Sequence, residues 1–290
     1  MVIGAGPAGI AAAVQLKRSG HDPLVLEGGE PGGLLRTAWR VENYPGYPNG
    51  IAGRELAANV AAGLEEWSVR VERAEALELG LDGGGFVIET SGGRIHAGSV
   101  IVATGTEPLP YACPGLDGIP SERVHRDIIG LREETERTFV IVGGGDAAFD
   151  YALALAENGN KIVILYRSPG ARCLPLLLDW AYNVADIECH GSTEVRRVAW
   201  INDDRIAVRT EGLVRTDIFA DHLVIAIGRR PRDGLLSEAV RNGMDRLRAD
   251  GLLYVIGDVA NGPYRQTAIA AGDGVRAAME IHERITEIKE

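Results

Sequence analysis

The sequence predicts an α/β protein that uses one dinucleotide-binding plan twice, and two glycine-rich turns carry most of this prediction. The first turn is MVIGAGPAG, residues 1–9, and the second is FVIVGGGDAA, residues 139–148. Each follows a short β-branched run and precedes a stretch rich in Ala and Leu, which is the strand, tight turn and helix of a dinucleotide site. The segments Ser99–Gly105 and Asp221–Gly228 echo each other as a strand that ends in glycine. We therefore expect the chain to hold two dinucleotides.

The glycines of the first turn have separate tasks. Gly4 lets the chain turn sharply, and Gly6 removes a side chain where the backbone must approach a pyrophosphate. Gly9 lets helix and strand pack closely, so that the free N–H groups and the dipole of the helix can hold the phosphates. One such turn is weak evidence, since other glycine-rich turns join strands to helices, but two with the same flanks favour nucleotide binding. The second turn repeats the small positions as Gly143, Gly145 and Ala148.

The residue that ends the next strand distinguishes the two sites. After the first turn, strand 23–27 ends in Glu27, whose carboxylate can accept hydrogen bonds from ribose hydroxyls, as FAD or NAD requires. After the second turn, strand 161–167 ends in Arg167, with Arg172 close behind, and a guanidinium there can pair with a 2′-phosphate. Arg167 therefore favours NADPH over NADH. A solvated charge at a strand end, or a guanidinium stacked on adenine, explains it equally well.

Further motifs accompany the two turns, and their order is more specific than any one of them. In chain order the motifs are Gly4–Gly9, Gly32–Leu34, Glu42–Gly46 with Gly50, Ile51 and Gly53, Ala103–Gly105, Gly143–Ala148, Gly257–Asp258 and Arg265–Gln266. In this order, over nearly the whole chain, they resemble the low-molecular-weight thioredoxin reductase family.

The resemblance implies how the chain is divided. It implies a discontinuous FAD-binding domain, residues 1–107 and 229–290, interrupted by a smaller NAD(P)H-binding domain, residues 108–228. Both are expected to be doubly wound three-layer α/β domains, and the protein is expected to form a homodimer. The segment Glu107–Pro110 independently favours a crossover, because proline disfavours a helix or a central strand.

The resemblance also implies roles for individual residues. The residues that it places at the FAD pyrophosphate are Gly4, Gly6, Pro7, Ala8 and Gly9, and it places Glu27 at the adenosine ribose. Those implied beside the flavin are Gly33, Leu34, Asn43, Ala103, Thr104 and Gly105, and those along its ribityl chain and pyrimidine side are Gly257, Asp258, Arg265, Gln266 and Ala268. Those implied at the second nucleotide are Gly143, Gly145, Asp146, Ala147 and Arg167. Asp258 as a turn residue and Asn43 as a cap are the structural alternatives.

The sequence departs from the family at the redox centre. The family has a Cys-x-x-Cys shortly before the second glycine turn, whereas the corresponding stretch here, Ser121–Gly130, contains no cysteine. The chain has three cysteines, Cys113, Cys173 and Cys189, and no two of them have redox-motif spacing. The sequence therefore predicts that the family's dithiol relay is absent and that the three cysteines are ordinary structural residues.

Composition narrows the classes of partner. The formal net charge is −11, which argues against nucleic acid as a partner. No apolar run approaches the length of a membrane span and no charged leader opens the sequence, so we expect a cytoplasmic protein without membrane contact. Few cysteines fit a reducing compartment. The six histidines form no metal-ligand pattern with cysteines or carboxylates, so no metal is expected.

These observations favour a flavoenzyme that passes electrons from NAD(P)H through FAD to an acceptor other than a thioredoxin-type disulfide, such as ferredoxin, a quinone or another small molecule or protein. The similar ferredoxin-NADP reductases also lack the cysteine pair, but the chain ends at Glu290 with little room for their carboxy-terminal extension. One alternative is a disulfide reductase that uses an atypical cysteine, Cys113 or Cys173. The other is a non-enzymatic, FAD-binding redox sensor, against which the intact second turn argues.

Hydrophobic periodicity predicts where the main elements lie. Helices are expected near 54–67, 146–158, 174–185 and 266–285. Alternating strands separated by glycine turns are expected between 77 and 96, and further alternating strands lead to residue 228.

Overall fold

The computed structural model describes residues 1–201 and 204–287. The chain divides into two compact units. Unit 1 contains Met1–Arg36, Val41–Glu107 and the residues from Arg230 onward, and unit 2 contains Thr37–Arg40 and Pro108–Arg229. The assignment of FAD to one unit and of NAD(P)H to the other stays a prediction from the sequence.

Most strands are short and are numbered in chain order. Within the described residues they are β1 (Val2–Ile3), β2 (Leu24–Glu27), β3 (Arg40–Val41), β4 (Ile51–Ala52), β5 (Arg70–Arg73), β6 (Ala76–Asp82), β7 (Gly85–Thr90), β8 (Gly93–Ala97), β9 (Val100–Val102), β10 (Thr106–Pro108), β11 (Val124–His125), β12 (Thr138–Val142), β13 (Lys161–Leu165), β14 (Ile187–His190), β15 (Thr193–Ile201), β16 (Arg205–Gly212), β17 (Asp217–Ala220), β18 (His222–Ile225), β19 (Arg229–Pro231) and β20 (Leu253–Val255).

The α-helices of the described residues are α1 (Pro7–Arg18), α2 (Gly53–Glu66), α3 (Asp146–Ala156), α4 (Pro175–Tyr182), α5 (Glu238–Asn242), α6 (Met244–Ala249) and α7 (Thr267–Glu287). Four of them lie where the apolar periodicity predicts helices, within a few residues at each end. The short helices α5 and α6 carry too few turns to give a periodic signal. Across the described part of the chain, no helix combines the length and the apolar character that crossing a bilayer requires.

The sheet of unit 1 is parallel and five-stranded, with the order β20-β9-β1-β2-β5. The strand of the first glycine turn lies at its centre, since Val2 pairs with Val25 on one side and with Ile101 on the other. Both of its residues are buried, as a central parallel strand covered on two faces requires. The carboxyl end of this central strand therefore feeds directly into the first turn.

Helices α1 and α7 pack closely in unit 1. Gly274 on α7 makes this approach possible, because a Cβ at Gly274 would lie 2.2 Å from the carbonyl oxygen of Ala8. Ile10 and Leu16 on α1 and Ile281 on α7 belong to one buried cluster. Burying such aliphatic side chains stabilises a fold by roughly 1.5–3 kcal/mol each.

Unit 2 is built on a second parallel five-stranded sheet, with the order β11-β18-β12-β13-β14. Phe139 and Ile141 on its central strand and Phe149 on α3 are fully buried. Each unit also carries a three-stranded antiparallel sheet, β6-β7-β8 in unit 1 and β15-β16-β17 in unit 2. Glycine turns and alternation predict the first of these sheets, and the second follows the same pattern.

The segment Thr37–Arg40 belongs to unit 2, although it lies far from the rest of that unit in sequence. The amide of Trp39 donates a hydrogen bond to Asp150 at 2.9 Å, and its ring meets that of Trp180 edge to face at 5.2 Å. Arg132 donates to the carbonyl of Thr37 at 2.7 Å. These contacts join residues at least 95 positions apart, which explains why the sequence pattern does not predict them.

Two histidines meet in the sheet of unit 2. The rings of His125, on β11, and His222, on β18, approach to 3.1 Å between Nε2 and Nδ1. Phe139 stacks on His222 with ring centroids 5.0 Å apart. Burial lowers the pKa of His222 to about 4, helped by the neighbouring His125 and Arg123, and burial also lowers the pKa of His125. Both rings are therefore neutral at pH 7, and the sequence alone does not indicate that they pair.

The stability of the protein is expected to fall as the pH drops from about 6.5 to about 4. In the unfolded chain these histidines take up protons near pH 6.5, whereas in the folded chain His222 resists protonation until about pH 4. The unfolded state then binds more protons, which costs on the order of 2 kcal/mol of folding free energy between pH 7 and pH 5. Denaturant unfolding of the wild type and of His222→Phe at both pH values measures this loss. Equal losses in the two proteins would contradict the role of the pair.

Candidate dinucleotide sites

The first glycine turn is constrained by backbone on both sides. Gly4 has φ +102°, and a Cβ there would lie 2.4 Å from the carbonyl oxygen of Ala103. A Cβ at Gly9 would lie 1.9 Å from the carbonyl oxygen of Gly4. No side chain fits at either position, so both glycines are required by the fold itself, independently of any ligand.

Gly6 differs from its neighbours in this turn. Its φ is an ordinary −78°, and a Cβ there would meet no atom within 4 Å. It is the N-cap of α1, no side chain caps this helix, Pro7 occupies its first turn, and that turn holds no acidic residue. The amide groups at the start of α1, around Ala8, are thus left for an anion, and the helix dipole favours one. The turn fits the pyrophosphate of a dinucleotide.

Glu27 lies at the end of β2, where its carboxylate is held beside this turn. Oε2 accepts a hydrogen bond from the amide of Ala5 at 2.7 Å, and Oε1 accepts one from the amide of Gly29 at 2.8 Å. An ionised carboxylate has about four acceptor positions, so each oxygen keeps capacity for a further donor such as a ribose hydroxyl.

Two other glycines bring distant segments to the start of α1. Gly33 has φ +57°, and a Cβ there would lie 3.1 Å from the Cα of Gly6. Gly257 has φ +71°, and a Cβ there would lie 2.8 Å from the Cβ of Ala8. Segments that are far apart in sequence therefore converge on the first turn, as expected if one cofactor binds across them.

The residues expected beside the flavin lie on several segments of unit 1. Asn43 donates a hydrogen bond from Nδ2 to Oε1 of Gln266 at 2.9 Å, so two of the predicted residues are in direct contact. Thr104 donates from Oγ1 to the carbonyl of Arg232 at 2.6 Å, and the carbonyl of Gly105 accepts from the amide of Arg232 at 3.0 Å. The remaining predicted residues lie in the short helices Gly33–Thr37 (Leu34) and Gly257–Val259 (Asp258), just before α7 (Arg265) and on α7 (Ala268).

Asp273, on α7, holds the turn that carries Asp258, and the sequence analysis did not identify it. Its Oδ2 accepts a hydrogen bond from Nδ2 of Asn261 at 2.7 Å and one from the amide of Gly257 at 3.3 Å. Arg276 pairs with its other oxygen at 2.8 Å. Asp273 therefore fixes the turn that carries Asp258. The available signal was its position between two glycines, Gly272 and Gly274, in a helix that packs on α1.

The second turn, in unit 2, repeats the construction of the first. Gly143 has φ +146°, and a Cβ there would lie 2.1 Å from the carbonyl oxygen of Ala226. Gly145 is the uncapped N-cap of α3, and a Cβ there would meet nothing within 4 Å. Asp146 and Ala147 are exposed in the first turn of this helix, and Asp146 accepts a hydrogen bond from the amide of Leu174 at 2.8 Å. The carboxylate is thereby engaged with the loop before α4.

Arg167 follows β13, the strand next to the second turn, and is exposed. Its guanidinium forms no ion pair with any residue in the described part of the chain. Arg172, also exposed, is held near the turn by its backbone, since its amide donates to the carbonyl of Gly144 at 2.6 Å. The geometry is compatible with a 2′-phosphate at Arg167 and equally with a solvated charge.

The three cysteines are free and partly buried. Burial raises the pKa of the Cys113 thiol, and burial together with the charge of Asp146 raises that of Cys173. Burial raises the pKa of Cys189 to about 11, with a contribution from Cys173 nearby. A reactive cysteine needs surroundings that stabilise the thiolate. All three settings favour the protonated thiol at pH 7.

Residues 1–274 match the family model described as pyridine nucleotide-disulphide oxidoreductase. NADPH-dependent thioredoxin reductase 3 of Arabidopsis thaliana is 29% identical to the chain over 307 residues, which cover 99% of this chain and 58% of that protein. The chain thus spans less than two thirds of that relative. Thioredoxin reductase of Streptomyces clavuligerus is 29% identical over 300 residues, which cover 97% of this chain and 91% of that protein.

Thioredoxin reductase of Lactococcus lactis has a similar solved structure, with a TM-score of 0.86 and 26% identity, covering 99% of this chain and 98% of that one. This likeness confirms the predicted fold class, an α/β protein with two dinucleotide-binding domains. It also confirms the resemblance to thioredoxin reductase-like proteins that the ordered motifs indicate.

The contrast between Gly6 and Gly9 predicts that one substitution affects binding and the other affects folding. Gly6→Ala places a methyl group in open space, so the apoprotein should be as stable as the wild type, or slightly more stable. Its affinity for FAD should fall by about tenfold or more, because the methyl group meets the pyrophosphate. Gly9→Ala forces a methyl group onto the carbonyl of Gly4 and should destabilise the apoprotein by about 3 kcal/mol or more.

Thermal unfolding of the apoproteins and titration with FAD separate the two effects. Gly98→Ala is the control, since a Cβ there also meets nothing within 4 Å and Gly98 is not part of the first glycine turn. If Gly6→Ala binds FAD as tightly as the control does, Gly6 does not lie against the pyrophosphate.

Proposed function

We propose a function from the premise that the chain belongs to the pyridine nucleotide-disulphide oxidoreductase family. The protein is an FAD-dependent NAD(P)H oxidoreductase that passes electrons from the flavin directly to an acceptor other than a thioredoxin-type disulfide. The cofactors expected from the sequence, FAD and NADPH, are those of its family. When bound, FAD supplies the hydride-accepting and electron-releasing chemistry, so the protein needs no nucleophile of its own.

The residues of unit 1 bind and orient the flavin cofactor in this proposal. The start of α1 at Gly6 holds the pyrophosphate, because its amides are uncapped and no side chain intervenes. Glu27 accepts hydrogen bonds from the adenosine ribose. Asn43 and Gln266, which are hydrogen-bonded to each other, lie on two segments that would flank the ring system. Asp273 positions the turn that presents Asp258.

The residues of unit 2 bind the pyridine nucleotide. Gly145 leaves the start of α3 open to the pyrophosphate, and Arg167, just after β13, lies on the adenosine side of the turn. In a sensor that binds no pyridine nucleotide, a side chain at Gly145 would not interfere with function, because the space there would hold no ligand. This argues for an enzyme over a non-enzymatic redox sensor.

One observation carries the proposal that the acceptor takes electrons directly from the flavin. Every cysteine of the chain is partly buried, and burial raises the pKa of every one of their thiols. A thiol that stays protonated is a poor nucleophile and a poor relay for electrons. Together with the absence of any Cys-x-x-Cys, this leaves the flavin as the donor to the acceptor.

A disulfide reductase with an atypical cysteine is the second candidate, and one observation favours it. Cys173 interacts electrostatically with Cys189 and also with Asp146 at the second turn. Two thiols are therefore near each other and near the proposed nucleotide site of unit 2. The raised pKa of both thiols argues against this candidate, and their substitution tests it. A homodimer is proposed from the resemblance, and a cytoplasmic location from the composition of the sequence.

Substitution of all three cysteines by serine is expected to leave electron transfer intact. The variant Cys113→Ser, Cys173→Ser, Cys189→Ser should be reduced by NADPH at the wild-type rate, and it should keep turnover with ferricyanide. The reason is that no thiol lies on the proposed path. Anaerobic stopped-flow absorbance of the bound flavin and steady-state assays with a panel of acceptors measure both properties. Normal flavin reduction with loss of turnover on a disulfide acceptor would establish the second candidate.

Arg167→Ala is expected to weaken NADPH more than NADH. If the guanidinium pairs with the 2′-phosphate, its loss should cost about 1.5–3 kcal/mol of NADPH binding, the range for a charge-assisted hydrogen bond. NADH lacks that phosphate and should bind as before. Titration of the holoenzyme with NADP⁺ and NAD⁺ gives the two affinities, with Arg215→Ala, an exposed arginine beside Glu211, as the control. Equal losses for both nucleotides would contradict this role.

A further inference from the structure

The chain changes direction at β12 in the sheet of unit 2. From β12 it continues through α3 to β13 and then to β14 on one side, whereas β18 and β11 lie on the other side. In an open parallel sheet, ligands bind in the crevice at the carboxyl ends of the strands where the chain direction changes. A dinucleotide that lies over the second turn therefore extends in both directions, with its adenosine half over β13 and its other half over β18 and β11.

Strand register places Arg126 at this carboxyl edge. Ile141 on β12 pairs with Val224 on β18, and Val224 pairs with His125 on β11. Arg126 is the next residue after His125, so it leaves its strand at the same level at which β12 enters the second turn. Neighbouring strands lie about 4.8 Å apart, which puts the end of β11 roughly 10 Å from the end of β12. Arg126 and Arg167 thus flank the turn from opposite sides.

The guanidinium of Arg126 interacts with a segment that meets this edge of the sheet. Arg126 interacts electrostatically with Tyr111. Tyr111 is two residues after Leu109, whose amide donates to the carbonyl of Gly228 at 3.0 Å, just beyond the carboxyl end of β18. The guanidinium is therefore within electrostatic range of a segment that lies at the same end of the sheet as the turn.

The same guanidinium forms no ion pair with the residues that the structure describes. Within the described residues, Nη1 of Arg126 is buried and has no hydrogen-bond partner. The adjacent Asp127 makes no hydrogen bond to this nitrogen, and its Oδ1 instead accepts from the amide of Ile129 at 3.0 Å. Arg126 is partly buried as a residue, but this nitrogen is fully buried, and a buried polar atom without a partner is costly. Such an atom indicates a place that an anion or another strong acceptor fills.

We propose that Arg126 binds the nicotinamide mononucleotide half of the pyridine nucleotide. That half carries a phosphate and a carboxamide oxygen, both of which accept hydrogen bonds from a guanidinium. The inference rests on the proposed use of NAD(P)H by unit 2. It divides recognition between two arginines: Arg167 reads the 2′-phosphate on the adenosine side, and Arg126 holds the part that NADP⁺ and NAD⁺ share.

Calorimetric titration of the oxidised holoenzyme with three probes tests this division. The probes are NADP⁺, NAD⁺ and 2′,5′-ADP, which contains only the adenosine side. In Arg126→Ala, the Kd values of NADP⁺ and NAD⁺ should rise by the same factor, about tenfold or more, while that of 2′,5′-ADP should not change. Arg126→Lys should recover part of the affinity. Arg123→Ala is the matched control, because this nearby arginine precedes β11 and lies over Trp200 at 5.9 Å; it should bind all three probes as the wild type does.

Three results would overturn the inference. The first is an Arg126→Ala protein, folded by thermal unfolding and by its flavin spectrum, that binds NADP⁺ with the wild-type Kd. The second is an equal loss of affinity for 2′,5′-ADP, and the third is a wild type that binds none of the probes. The proposed function is judged separately, by anaerobic reduction of the wild-type flavin with NADPH. Reduction of the wild type together with an unchanged Kd in Arg126→Ala would reject this inference and leave the proposed function standing.

Discussion

The close approach of backbone to backbone at the two glycine turns is the constraint on which the candidate sites depend. At the first turn, Gly9 lies against the carbonyl of Gly4, and Gly4 lies against Ala103. At the second turn, Gly143 lies against Ala226. These contacts fix each helix start at the carboxyl edge of its own sheet, with amides that no side chain caps. An anion site at a helix start follows directly from this arrangement.

Local chemistry made much of this predictable from the sequence. A glycine that the fold requires and a helix that starts after it are visible within ten residues, and Glu27 and Arg167 each end the strand after a turn. The helices α2, α3, α4 and α7 follow from apolar periodicity for the same reason, and α1 follows from the first glycine turn. The different roles of Gly6 and Gly9 were only partly predictable. Their different tasks follow from the motif, but only the structure gives the open space at one and the carbonyl at the other.

The features that the sequence did not predict depend on contacts between distant residues. His125 and His222 are 97 positions apart. Asp273, on α7, accepts a hydrogen bond from the amide of Gly257, which lies 16 positions earlier in the chain. Thr37–Arg40 belongs to unit 2 because Arg132 and Asp150 bind its backbone. The buried nitrogen of Arg126 has no sequence signal, since burial is a property of the packed chain. Such contacts have no period and no motif, so only the folded structure reveals them.

The nucleotide turns and the reactivity of the thiols depend on different physical requirements. A turn of this kind depends only on its glycines, because a side chain at these positions would collide with a backbone carbonyl. A thiol becomes a relay only where nearby positive charge or an exposed setting stabilises its thiolate. In this chain burial is the largest influence on the pKa of the thiols of Cys113, Cys173 and Cys189, and it raises all three. An acceptor for the proposed enzyme must then reach the flavin itself, so access to the flavin, and not recognition by a protein disulfide, would select it.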